Sequence, residues 1–181
     1  MNIFVALLRG INVGGRNKLP MRELVQILES LGLSNVKTYI QSGNAIFQTP
    51  RTGQTKLAED ISTTIGQSHG FTPHVLLLSL DELKTAVSQN PFPEAADAPK
   101  TLHLYFLTSA PAQPDLTTLE SLKTAREQFQ LINNVFYLYA PDGIGRSKLA
   151  ERVERALGVA TTARNWRTVS KVLEMGTAVS T

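Results

Sequence analysis

Apolar and polar positions along the chain alternate between two periods. The runs "IFVALL" at Ile3–Leu8 and "LYFL" within Leu102–Leu107 are apolar at consecutive positions, as in strands buried on both faces. After the first run, Met21, Leu24, Val25, Leu28 and Leu31 recur at helical spacing, which predicts a helix from Pro20 to Leu31. Pro20 suits its first turn, and Gly32 suits the position just past its end. "VKTYIQSGNAIFQ" and "FQLINNVFYLY" each read as two β-rich runs around a polar turn, Ser42-Gly43 in one and Asn133-Asn134 in the other. A second helix is expected over about Asp115 to Arg126, a strand at "PHVLLLS" and a shrunken one at "ATTAR". Ser79 and Glu82 form a capping box for a helix running to about Gln89. Asn165 is placed to cap a last helix, Trp166 to Met175, with Val169, Val172 and Leu173 as its buried stripe.

The order strand, helix, hairpin, helix occurs twice. "TGQTKLAEDISTTIG" at Thr52–Gly66 aligns without a gap on "IGRSKLAERVERALG" at Ile144–Gly158, each copy with a hydroxyl residue before its Lys-Leu-Ala-Glu and a glycine at its end. The expected fold class is therefore α+β: two tandem ferredoxin-like (βαββαβ) halves packed into one compact body, with an extra C-terminal helix. Residues 1–80 form the first half, and 81–100 a linking helix and proline-rich connector, "NPFPEAADAP". Residues 101–181 form the second half with its additional helix. Each half is expected to cover the second sheet face of the other.

Composition narrows the class. The 181 residues are 42% hydrophobic and 18% charged, which suits a globular chain. No apolar run reaches membrane-spanning length, and no basic segment precedes the first apolar run as in a secretory signal, so the expected location is cytoplasmic. With no cysteine there is no disulfide and no thiolate chemistry. The net charge is +3, with 8 Lys+Arg against 6 Asp+Glu in residues 1–90 and 10 against 9 beyond, so any polyanion footprint has to be local. The tight basic clusters are Arg9, Arg16, Lys18 and Arg22 near the start, and Arg164, Arg167 and Lys171 near the end.

Together "LLRGINVGGRNKLPM", "TYIQSGNAIF", "NPFP" and "RNWRT" resemble a bacterial family, domain of unknown function 1697, across essentially the whole chain. The resemblance implies a cytoplasmic bacterial protein of two related α+β halves, and it carries over no substrate, cofactor or catalytic set. It marks Arg9, Gly10, Asn12, Gly14, Gly15, Ser42, Gly43, Asn44, Arg164, Asn165 and Trp166 as its distinctive positions.

The chemistry of these residues points to an anion. Gly10, Gly14 and Gly15 let the backbone approach a ligand closely, the helix beyond projects open amides, and Arg9, Arg16, Lys18 and Arg22 add positive charge. Gly-x-x-x-Gly-Gly is neither a Walker A loop nor the dinucleotide fingerprint. The plainer reading is a long loop folded over the sheet edge with its cations in solvent. For Ser42 and Asn44 the plainest role is local turn chemistry, with contact to the same ligand as the functional alternative. Arg164, Asn165 and Arg167 would join the first cluster in one basic pocket if the chain brings them together. Trp166 reads first as a docking anchor and otherwise as a stacking surface. His69, His74 and His103 are scattered, the latter two in apolar strands as hydrogen-bonded structural histidines, and no metal or cofactor site is expected.

Three readings follow: a binder or metal-free enzyme for a small anionic ligand, first; a single-stranded nucleic-acid binder using Tyr39, Phe47, Tyr105, Tyr137 and Tyr139, second; a protein-interaction module, third.

Overall fold

The computed structural model describes residues 1–180. The fold is α+β, with two four-stranded antiparallel sheets and six α-helices among the described residues. The chain divides into two units: residues 1–85 with those from Lys171 onward, and residues 86–170.

In the first unit, β1 (Asn2–Arg9), β2 (Ser34–Tyr39), β3 (Asn44–Thr49) and β4 (His74–Ser79) form a sheet in the order β2-β3-β1-β4. Helices α1 (Met21–Ser30) and α2 (Gln54–His69) pack on one face of it. Phe4, Ala6 and Leu8 of β1, with Phe47 of β3 and Leu77 of β4, meet Leu24, Ile27 and Leu28 of α1 and Leu57, Ile61 and Ile65 of α2. The three α2 side chains are fully buried and each contributes about 1.5–3 kcal/mol. Val5 and Leu7, pointing to the opposite face, are equally buried, as a continuous apolar run requires. β2 is an edge strand whose register shifts between Ser34 and Lys37, with Asn35 bulged out at φ +51°.

The stripe of α1 is corrected by one position: Ile27 is buried and Val25 only half-buried. α2 departs from its expected ends. It begins two residues before the Lys-Leu-Ala-Glu segment, with Gly53 at its N-cap and no side-chain cap, and runs through Gly66 to a left-handed cap at Gly70. Gly66 is there for space, since a Cβ would come within 2.7 Å of the Thr72 methyl.

The second unit orders β5 (Leu102–Leu107), β6 (Gln128–Ile132), β7 (Val135–Tyr139) and β8 (Thr161–Asn165) as β6-β7-β5-β8. Its core joins Tyr105, Leu107, Phe136 and Leu138 to Leu119, Leu149, Val153 and Leu157. Helix α3 (Leu80–Ser88) links the two sheets in sequence, opened by the capping box: Ser79 N–H donates to Glu82 at 2.7 Å and Glu82 N–H to Ser79 Oγ at 3.1 Å. The connector makes a 3₁₀ turn at Pro93–Asp97.

Helix α4 is only Leu116–Leu122, capped by Asp115, whose carboxylate accepts from Thr118 N–H at 2.9 Å. It stops short of the expected Arg126 because the buried Glu127 carboxylate takes the Thr124 N–H at 2.8 Å, a bond that competes with another helical turn. The second Lys-Leu-Ala-Glu copy is broken into 3₁₀ turns at Ile144–Arg146 and Ala150–Arg152, followed by a short α5 (Val153–Leu157). Ser147 Oγ accepts from Ala150 N–H at 3.0 Å, and Arg152 N–H bonds back three residues to Leu149. Helix α6 (Trp166–Ser180) runs beyond the expected Met175. No helix among the described residues is long and apolar enough to cross a membrane.

Candidate functional site

β1 runs antiparallel to β3, with Leu7 opposite Asn44, so the exit of β1 and the β2–β3 turn lie at the same end of the first sheet. This brings the two motifs together. Residues 10–19 fold into a small ribbon: Asn12 N–H donates to Asn17 O at 3.0 Å, and Arg16 N–H to Val13 O at 3.0 Å. The turn between them has φ +58° at Gly14 and +74° at Gly15, the two positive angles of a type I′ turn. Gly10, the third glycine of the loop, has φ +78°. Asn17 Nδ2 closes its base on Gly10 O at 2.8 Å.

Asn12 locks the ribbon to the neighbouring turn. Its Oδ1 accepts from Leu19 N–H at 2.8 Å, while Nδ2 donates to Leu19 O and to Gln41 O, both at 2.9 Å. Gly43 completes the lock, with Leu8 N–H donating to Gly43 O at 2.8 Å. A Cβ on Gly43 would come within 2.6 Å of Ile11 Cδ1 and 2.9 Å of Leu8 Cβ. Asn44, fully buried, donates to Tyr39 O at 2.8 Å and to Ser42 Oγ at 3.1 Å. Asn12 and Asn44 thus have structural work in this lock, while the backbone of Gly14 and Gly15 stays at the tip.

Arg9, Arg16, Lys18 and Arg22 are all exposed. Among the described residues Arg16, Lys18 and Arg22 pair with no carboxylate, and the amides of Gly14, Gly15, Met21 and Arg22 donate to nothing. Pro20 sits at the N-cap, its carbonyl accepting from Glu23 and Leu24. The loop therefore combines a rigid backbone, open donors and uncompensated positive charge.

Arg164, Asn165 and Arg167 belong to the second unit. Asn165 Oδ1 caps α6 by accepting from Thr168 N–H at 2.9 Å. Arg164 lies in β8 and donates to Ala163 O at 2.9 Å, and burial lowers its pKa to about 10, leaving it charged at neutral pH. Arg167 is exposed, its amide on Pro99 O at 3.4 Å, and Trp166 is half-buried.

The strand aromatics are mostly interior. Phe47 and Tyr137 are fully buried and Tyr105 nearly so, which removes them as a stacking platform. Burial raises both Tyr105 and Tyr137 to about 12, and the Tyr137 hydroxyl donates to Ala86 O at 2.6 Å. One histidine expectation is corrected. His74 lies in β4 as expected, at its exposed end, whereas His103 Nδ1 is buried without a hydrogen-bond partner, desolvation lowering its pKa to about 4 so that the ring is neutral.

A polar groove between α1 and α2 had no local signature. Arg22, Glu23, Gln26 and Ser30 line one side, and Thr64, Ser68 and His69 the other. His69 Nε2 lies 2.6 Å from Glu23 Oε2, and Nδ1 lies 2.8 Å from Ser68 Oγ. The distances suit a serine, histidine and carboxylate relay, but Ser68 Oγ also has acceptors on its own helix within reach, Thr64 O at 3.0 Å and Ile65 O at 3.3 Å. The helix carbonyls compete with His69 Nδ1 for the one hydroxyl proton, which is not the committed serine-to-imidazole hydrogen bond of an activated nucleophile. The partners are 46 residues apart, which is why neither segment signals the other.

Residues 1–137 match the model of a family described as Protein of unknown function (DUF1697). The chain is also similar to a solved structure, that of the conserved bacterial protein SP0830 from Streptococcus pneumoniae. The two are 27% identical with a TM-score of 0.70, over 97% of this chain and 98% of that one. No curated protein matches the sequence.

Proposed function

The chain belongs to the DUF1697 family, and from that premise we propose that its first unit captures a small phosphate- or carboxylate-bearing ligand on the loop after β1. The observation that carries this reading is the group Arg16, Lys18 and Arg22, with no paired carboxylate among the described residues, beside a ribbon held by Asn12 and Gly43. An anion meeting such a loop finds charge and amide donors without the cost of ordering the backbone. Arg9, Gly10, Gly14 and Gly15 complete the site, with Ser42 and Asn44 supporting it from the adjoining turn. Arg164, Asn165 and Arg167 offer an anion contact at the start of α6 in the second unit.

Under the same reading each unit is a ferredoxin-like half, supported by the strand orders β2-β3-β1-β4 and β6-β7-β5-β8, and the halves descend from an internal duplication in a cytoplasmic bacterial protein.

Thermal unfolding in a panel of phosphorylated and carboxylated metabolites tests the binding. A ligand at a hundred times its Kd stabilises by about 2.7 kcal/mol. Arg16→Ala with Lys18→Ala should abolish that gain while leaving the unliganded transition in place. A panel without any shift, or a shift that survives both substitutions, overturns the assignment.

A further inference from the structure

The tip of this loop carries a second kind of chemistry. Among the described residues the exposed large hydrophobics are Met1 at 74%, Val13 at 67% and Ile40 at 48%. Val13 follows Asn12 and Ile40 precedes Gln41, the two residues whose hydrogen bond joins the ribbon to the β2–β3 turn. Ile40 holds φ +49°, a left-handed angle that a β-branched side chain rarely adopts. Strain of this kind persists where the surroundings enforce it, and here it keeps an aliphatic side chain in water. Val13 pairs across the ribbon with Arg16, which sets the exposed methyls and the guanidinium on the same face.

An anion alone has no use for two exposed aliphatic side chains. We infer that the ligand is an amphiphilic one, a nucleoside phosphate whose phosphate meets Arg16, Lys18 and the Gly14–Gly15 amides while its base rests on Val13 and Ile40. This rests on the anion reading above. Two exposed aliphatic side chains offer far less apolar area than a stable protein interface needs.

Isothermal titration with adenosine 5′-monophosphate, uridine 5′-monophosphate, ribose 5-phosphate and inorganic phosphate separates the two claims. Covering roughly half of each aliphatic side chain should favour the nucleotides over ribose 5-phosphate by about tenfold. Val13→Ser, and Ile40→Asn, which accommodates the positive φ, should each cut nucleotide affinity by about threefold and leave ribose 5-phosphate unchanged. Equal affinities for nucleotides and ribose 5-phosphate, or a preference that survives both substitutions, overturn the base contact while the anion site stands. No heat from any phosphate compound overturns the anion site itself.

Discussion

Replacing Gly43 with alanine attacks the contact that joins the loop after β1 to the neighbouring turn. Two costs add. At φ +81° an L-residue is disfavoured by about 1–2 kcal/mol. The new methyl also meets Ile11 Cδ1 at 2.6 Å and Leu8 Cβ at 2.9 Å, and overpacking of this kind costs about 1–3 kcal/mol. Ile11 Cδ1 can swing away on its own rotamers, but Leu8 Cβ is fixed to the β1 backbone, so the strand itself has to yield. The sum is about 2–5 kcal/mol, and with a urea m-value of about 2 kcal/mol per molar the transition reporting the first unit should fall by roughly 1–2.5 M. Gly14→Ala is the control, because its φ is +58° and no atom lies within 4 Å of the added methyl. It should lose only the backbone cost of about 1–2 kcal/mol. Ile11→Val in the Gly43→Ala background should recover part of the loss, since it deletes the nearer contact. If Gly43→Ala proves no more damaging than Gly14→Ala, the packing argument for the lock fails.

Two further outcomes follow from buried side chains in the second unit. His103, lowered from 6.5 to about 4 by burial, contributes stability that is complete above pH 6.5 and is lost as pH falls toward 4, by at most about 3 kcal/mol. Urea midpoints for His103→Phe should therefore vary less than those of the parent between pH 6.5 and 5, and an identical slope would count against a neutral buried imidazole. Tyr137→Phe strands the Ala86 carbonyl that the hydroxyl reaches at 2.6 Å, and should cost about 1–2 kcal/mol in equilibrium unfolding. A neutral result would show that carbonyl to be otherwise satisfied.

Features set by neighbouring residues were legible in the sequence. The Ser79–Glu82 box, the Asn165 cap and most of the α1 stripe depend on chemistry within a turn or two. What was not legible depends on partners far along the chain. Gly66 resembles a helix terminator, yet it serves the approach of Thr72. Glu127 reads as an ordinary charge, yet its bond to Thr124 accompanies the early end of α4. The glycines of the opening loop announced a tight backbone. That Asn12 would reach Gln41, and Gly43 admit Ile11, depended on the pairing of β1 with β3. The open cations were visible as a cluster, whereas the exposed aliphatic pair Val13 and Ile40 was not, because in a list of residues each looks like core.

The bulge at Asn35 has a consequence for how the molecule behaves in a crowd. The extra residue kinks the rim of β2, so a foreign strand laid along it would match the ladder for only a few residues before falling out of step. A straight rim would serve as a template on which copies could zip together into fibres. The kink denies them that purchase at the cost of a single unpaired residue.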